Sequence, residues 1–477
     1  MKLNWFVSVA ILFCVFGSLK GVDWSEPEKV ISPGHFFTLS VDNYGRLWMY
    51  GGIWKVTYFD EGWQEPMEVE LDAVMGNTFR MCIDKEDAVW VSGGNSWEIY
   101  YRCYDGDSWS EIDSVPTYPS LADFAKITAD SSGGVWVGWT TDWWGWLDGA
   151  YNRYRNGSWD EPQVLTDTLE RADHVIQAMT TDVYGRVWIV WLNHYELHHE
   201  PFESLESVYY DDGWSEEILI SSSNKDEGSF PGLFPYTLDL APDEAGGVWA
   251  LWDFFCFYKN INFIHSSYWN GEGWSLVDTI AQAGDFFNEI PPSVGVAVDG
   301  DGNVWAVWRQ ALEYNDKYGD IYYSVNTGTG WSEPAPVNEH PAVDRYPDIA
   351  VDGAGRIWCV WSSNREGEDE WDYSIWASYA TGVGVKEPVT PVTHRLPSLT
   401  IDKSVGGEFT FSVSHSNIVR GIVICDASGR VVSDLTISDN QTIHWDGTDA
   451  KGQALSPGVY FVKLSPTSST LKLILIR

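Results

Sequence analysis

The chain has 477 residues, of which 69 are acidic and 29 basic, a formal charge of −40. That balance speaks against a phosphate-backbone partner, which needs a basic footprint, and against docking on anionic lipid. An apolar fraction of 44% rules out disorder as the main state, and 29 Trp with 44 Gly points to many short strands joined by tight turns.

Lys2 and the apolar run Phe6–Phe16 read as a secretory signal peptide over residues 1–22. The run is too short to span a bilayer, and no later stretch reaches 18 apolar residues. Past the leader, Cys82, Cys103, Cys256, Cys359 and Cys425 are odd in number and irregular in spacing. They read as buried free thiols rather than a disulfide framework or a zinc site.

Residues 23–383 are repetitive. The pattern Asp-x-x-Gly-x-aliphatic-Trp occurs at Asp42–Trp48, Asp130–Trp136, Asp182–Trp188, Asp243–Trp249, Asp299–Trp305 and Asp352–Trp358, and a seventh copy, Asp84–Trp90, has Asp87 in the glycine position. A second pattern, Trp-Ser-Glu-Pro and its variants, interleaves at Trp24, Trp63, Trp109, Trp159, Trp214, Trp274 and Trp331. The period is about 52 residues. In the clearest unit, Val294–Val298, Asn303–Arg309, Asp320–Val325 and Trp331–Val337 read as four strands. Seven such units predict an all-β chain headed by a seven-bladed β-propeller. The outer strand of the last blade is missing, and Trp24–Val30 is a displaced one. The economical closure puts Trp24–Val30 into the last blade; the rival is Gly384–Pro388, which lacks the Trp.

Residues 384–397 are rich in Pro, Thr and Val and read as a linker. Residues 398–477 alternate in short strands: Glu408–Val413, Val419–Asp426, Gln441–Trp445, Val459–Leu464 and Leu471–Arg477. That predicts a small immunoglobulin-like β-sandwich. The acidity belongs to the propeller: residues 23–394 carry 62 acidic and 19 basic side chains.

Asp426-Ala427-Ser428-Gly429-Arg430-Val431-Val432, Trp445-Asp446-Gly447-Thr448-Asp449, Pro457-Gly458-Val459-Tyr460-Phe461-Val462-Lys463-Leu464 and Lys472–Arg477 resemble the C-terminal sorting domain of the type IX (Por) secretion system. They resemble equally the immunoglobulin-like domain of the flagellar hook-capping protein. The Pro-Asn-Pro-Phe entry motif is absent, and Ile401-Asp402-Lys403-Ser404 stands near its place. The resemblance implies passage across an outer membrane by its secretion machinery, then release or attachment at the cell surface. The propeller looks like Asp-box and two-component-regulator propellers, although its Asp and Gly are three apart and those of the sialidase Asp-box are two apart.

With Trp139, Trp191, Trp252, Trp308 and Trp361, each three residues past a first-pattern Trp, nineteen of the 29 Trp occupy repeat positions and read as core. The aromatic residues outside the repeat are the better binding candidates. Trp143, Trp144 and Trp146 fall in blade 3, Phe254, Phe255, Phe257, Tyr258 and Phe263 in blade 5, and Trp371 in blade 7 beside Glu368, Asp369 and Glu370. All are assigned to loops of one face, where a rigid scaffold commonly carries recognition. Asp173, His174, Asp285, Glu289, Asp344 and Arg345 precede inner strands and are within reach of the axis, with Arg80, Arg309 and Arg365 as further candidates. His194, His198 and His199 sit in the blade 4 loop. Asp299-Gly300-Asp301-Gly302-Asn303 resembles half of a calcium loop, but Gln310 stands where the closing glutamate belongs. It reads as a hairpin turn, with no metal or cofactor expected and calcium the one ion left open.

Two functions fit. The first is an exported binding module that holds a glycan or a surface protein on its propeller face, through Trp143, Trp144, Trp146, Phe255, Trp371, His174, Arg309 and Arg345. The second is a sialidase-like or polysaccharide-degrading enzyme with an axial site, for which Asp173, Asp285 and Glu289 would have to converge. No nucleophile motif or metal-ligand cluster favours the enzyme.

Overall fold

Alternating apolar residues separated by Asp-x-x-Gly turns leave little choice but short antiparallel strands. The computed structural model describes residues 22–382 and 398–476. Left out are 53, 70, 72–79, 96, 119–120, 144–145, 167–171, 198–199, 223–236, 257–260, 285–292, 312–318, 368–371, 402–404, 408, 415–420, 427–429, 437–441, 450–451 and 466–469. The signal peptide and the 384–397 linker therefore lie outside the described residues. Every regular element among those described is a strand.

Seven antiparallel sheets follow one another, each running from an inner to an outer strand. Their inner strands are Phe37–Val41, Arg80–Ile83, Asp123–Ala129, Ala172–Thr181, Leu238–Pro242, Val294–Val298 and Asp344–Val351. Each contacts the next, and Asp344–Val351 returns to Phe37–Val41, so the blades form a closed ring. The seven-bladed propeller expected from the repeat is the fold observed.

The ring closes as the displaced strand predicts. Glu28–Ile31 pairs antiparallel with Ser374–Ala380 and becomes the outer strand of blade 7, and Trp24 bridges to Ala380. The first strand of the propeller thus caps the edge of its last sheet, removing a free edge. The rival segment Gly384–Pro388 lies outside the described residues.

The repeated residues have structural work. In six blades the motif aspartate accepts the indole N–H of the motif Trp, as in Asp182–Trp188 at 2.8 Å and Asp299–Trp305 at 2.9 Å. In blade 5 the hydroxyl of Tyr268 takes that place, 2.8 Å from Asp243. The other carboxylate oxygen holds the turn: Asp299 Oδ1 accepts from the backbone N–H groups of Asp301 and Asn303. Asp87 adopts φ +63°, the left-handed conformation that glycine supplies in the other blades, a region Asp tolerates better than most side chains. Trp24, Trp63, Trp214, Trp274 and Trp331 each stand against the motif Trp of the preceding blade. Trp214 on Trp136 and Trp274 on Trp188 both have centroids 6.0 Å apart, and Trp331 lies 5.9 Å from Trp249. Among the described residues Cys82, Cys359 and Cys425 are buried free thiols, and Cys103 is a half-buried one.

The C-terminal part is a two-sheet sandwich. One sheet holds Ser398–Ile401, Phe409–Ser414 and Thr442–Trp445; the other orders Val405–Gly406, Thr470–Leu475, Gly458–Ser465, Gly421–Asp426 and Val431–Thr436. Phe409, Phe411, Ile424, Trp445, Val462 and Leu473 form its core. The strands Ser398–Ile401, Val405–Gly406 and Val431–Thr436 were not among those read from the alternation.

Candidate functional site

Inner strands present alternate side chains to the propeller axis. One register position recurs in all seven, four residues before the motif aspartate. It holds Thr38, Arg80, Lys126, Ala178, Asp239, Gly295 and Asp348 in blades 1 to 7. The pairing confirms the equivalence: each lies opposite the residue two beyond the motif Trp, as Arg80 opposite Ser92, Asp239 opposite Leu251 and Asp348 opposite Val360. All but Gly295 line an axial cavity of about 760 Å³.

The four charges of this ring are set apart in space. Cations occupy neighbouring blades 2 and 3, and carboxylates occupy blades 5 and 7. In a seven-membered ring the midpoint of blades 2 and 3 faces blade 6, where Gly295 has no side chain and Asp239 and Asp348 flank it. Both carboxylates also clasp neighbouring strands. Asp239 accepts from the N–H groups of Leu240 and Val296, each at 2.9 Å. Asp348 accepts from Ile349 at 2.8 Å and from Leu39 at 3.3 Å. Burial pushes both above the usual carboxylate range, and the Asp239 charge pushes Asp348 further. Burial lowers Arg80, against the opposing pull of Asp348 and Asp239. It presses Lys126 well below the usual ammonium range, and the Arg80 charge adds to that.

Two residues nearer the strand starts, the cavity has an aromatic mouth of Phe36, Phe124 and Tyr346. Phe124 is exposed, with φ +54°; Tyr346 has φ +51°. Non-glycine residues held in the left-handed region cost of order 1–3 kcal/mol each and concentrate at functional positions. Tyr346 lies 4.8 Å from Phe36, and a row continues outward through His35 to Tyr373, with His35 and Tyr373 centroids 4.4 Å apart. The Arg345 guanidinium ends the row, 4.8 Å above the Tyr373 ring. Of the residues singled out from the sequence, Arg80 lines the cavity and Arg345 flanks its mouth.

The others lie elsewhere. Phe255, expected on an exposed loop, is buried: the strand Val248–Cys256 runs further than its pattern suggested, and Phe255 pairs with Asn262 inside the ladder. His174, expected to reach the axis, is buried beside Asp148, with Nδ1 3.5 Å from Oδ1. Asp173 accepts the N–H of Leu147 at 2.9 Å. Arg309 is 1% exposed and packed where Gly319 leaves room, since a Cβ there would lie 2.7 Å from its Nε. Arg365 bonds Asp344 at 3.0 Å and stacks on Trp376. His194 lies 3.3 Å from Glu203, whose carboxyl burial raises. Trp143 and Trp146 form the last backbone pair of their hairpin. Trp144, Trp371, Asp285, Glu289, His198 and His199 lie outside the described residues. Among the described residues no group of three His, Cys, Asp or Glu is arranged to hold a metal.

The fold and the axial ring define a seven-bladed propeller with a charged, aromatic-rimmed cavity, carried ahead of an immunoglobulin-like sandwich. Residues 398–470 match the FlgD Ig-like domain. No curated protein matches the chain. Among solved structures, the polysaccharide lyase Uly1 is similar at 10% identity, with a TM-score of 0.50 over 74% of this chain and 91% of that one. At that identity the likeness speaks for the fold alone. PorZ, a surface component of the type-IX secretion system of Porphyromonas gingivalis, is similar at 14% identity over 92% of this chain and 70% of its own, with a TM-score of 0.34. YCF48 bound to D1 peptide is similar at 16% identity over 75% of this chain and 95% of its own, with a TM-score of 0.45. No helix among the described residues is long and apolar enough to cross a membrane.

Proposed function

We propose that the chain is an exported binding module, attached to the cell surface or released, whose propeller takes a glycan at its axial mouth. In this reading the C-terminal sandwich serves passage across the outer membrane, and no cofactor takes part. The observation that carries the reading is the juxtaposition of an aromatic row with a polar axial cavity. Aromatic faces cover the apolar faces of a sugar, and ring charges meet its hydroxyls. A glycan array probed with the full chain tests it. Tyr346→Gly removes an aromatic ring at a φ that glycine prefers, so the fold is spared. Binding should weaken by about 1–3 kcal/mol. A chain that binds no glycan, or binds equally well with Gly at 346, would refute the reading.

One observation favours a glycan-degrading enzyme as the second reading: Asp239 and Asp348 share the cavity and both hold protons more tightly than ordinary carboxylates, as a general acid must. Binding is preferred because both carboxylates already accept two backbone N–H bonds each. Turnover of a bound glycan that disappears in Asp348→Asn would reverse the preference.

A further inference from the structure

The two carboxylates of the axial ring have structural employment, and Lys126 differs from them. Arginines of the propeller are engaged as well: Arg46, Arg186 and Arg356 each lie 2.6 Å from the motif aspartate of their own blade, Arg153 is paired with Asp130, and Asp348 and Asp239 pull on Arg80. Lys126 is the exception. Its chain lines the cavity, and among the described residues no hydrogen bond or ion pair engages its ammonium. It stands in the same register position as Arg80 on the neighbouring blade, so like charges are held side by side in an enclosed place. Burial and the Arg80 charge outweigh the pull of Asp123 and Asp239 on Lys126, so an anion arriving beside its ammonium is favoured. In a propeller segment with 62 acidic and 19 basic residues, such a placement runs against the average field.

We propose that the axial cavity holds the anionic group of an acidic sugar, a carboxylate or a sulfate, on Lys126 and Arg80. The uncharged hydroxyl side of the same sugar faces Asp239 and Asp348 across the Gly295 gap, and the ring of Tyr346 or Phe36 covers it from the mouth. This rests on the axial mouth being the ligand site and adds what the ligand must carry. The bipolar ring sets the orientation: reversing the sugar would bring its anion against two carboxylates.

The test is calorimetric titration of the full chain at low salt with four sugars: glucuronate, its methyl ester, glucose 6-sulfate and methyl glucoside. The ε-carbon resonance of Lys126, assigned by its loss in Lys126→Gln, is followed in parallel. Glucuronate or the sulfate should bind about tenfold or more tightly than the neutral pair, the gain of a charge-assisted hydrogen bond. The tighter of the two names the anion. Lys126→Gln should bring the acid down to the level of its ester with the melting temperature unchanged or slightly raised, since an unpaired cation is removed. If ester and acid bind equally, and Tyr346→Gly weakens both, the mouth is a ligand site and the anion inference is overturned. If the acid is preferred but Lys126→Gln leaves that preference intact, the anion sits elsewhere and the inference is overturned as well. If none of the four sugars binds or moves the Lys126 resonance, the anion inference is overturned, and the glycan array alone decides the binding reading.

Discussion

The indole of Trp24 stands edge-on to that of Trp305, with centroids 6.2 Å apart and planes at 85°. The two residues are joined across the blade 6–blade 7 seam by a strand that precedes the whole propeller in the chain. Trp24 occupies in blade 7 the place that Trp331 holds in blade 6. Trp24→Ala should therefore destabilise the propeller by about 2–3 kcal/mol, a little below the loss for a fully buried Trp. Urea denaturation of the full chain measures it, and a loss well under 1 kcal/mol would show that the closing strand contributes little.

The motif aspartates should be among the costliest positions to change. Asp182 is buried and accepts the Trp188 indole at 2.8 Å, the Arg186 guanidinium at 2.6 Å and two turn amides. Asp182→Ala leaves an arginine and an indole without their acceptor, for which about 3–5 kcal/mol is expected. Tyr268→Phe, removing only one neutral donor to Asp243, should cost about 1–2 kcal/mol. Equal losses in the two variants, compared by denaturant midpoint, would contradict this account of the turn.

Closure also depends on backbone contact at the blade 7–blade 1 seam. The Gly353 N–H donates to the Gly45 carbonyl at 2.8 Å, and a Cβ on Gly353 would lie 2.6 Å from the Gly45 Cα. Gly353→Ala should cost about 1–3 kcal/mol through overpacking. Gly213→Ala, at a turn where nothing lies within 4 Å, should be nearly neutral. Thermal melts of the two variants make the comparison.

Stability should fall as pH rises through the weakly acidic range. Burial raises the Asp344 carboxyl to about 6, with Arg365 opposing; unfolded, it titrates near about 4. Between those values the folded chain holds more protons than the unfolded one, so the contribution present at low pH is lost as pH climbs through about 4 to 6. Asp239 and Asp348 act in the same direction. For Asp344 alone the change is about 2–3 kcal/mol. Unfolding free energies measured from pH 4.5 to 7.5 should decline less steeply in Asp344→Asn than in the wild type; parallel curves would refute the assignment.

The blades are legible in the sequence because their information is local and repeated. Asp299, Gly302 and Trp305 act within one turn and its strand, and a residue that fills the same place in every blade recurs at the period of the blade. The displaced Trp24 was legible for the same reason, since a ring with seven motif strands and a missing edge has few ways to close. The charged ring was present in the sequence too, four residues before each motif aspartate, and aligning the blades on those aspartates would have brought Arg80, Lys126, Asp239 and Asp348 into one column.

Which inner-strand side chains face the axis was settled by folding. A strand alternates faces with period 2, so one extra residue reverses every side chain before it. The ladders slip between Ile176 and Ala178 and between Arg345 and Asp348. Asp173, His174, Asp344 and Arg345 all lie before those slips, and in the sequence their place ahead of the inner strands is all that puts them within reach of the axis. His174 went instead to a buried contact with Asp148, Asp344 to Arg365 and Arg345 to the Tyr373 ring. A bulge depends on how two strands of a ladder meet, and the turn motif that marks each blade carries no record of it.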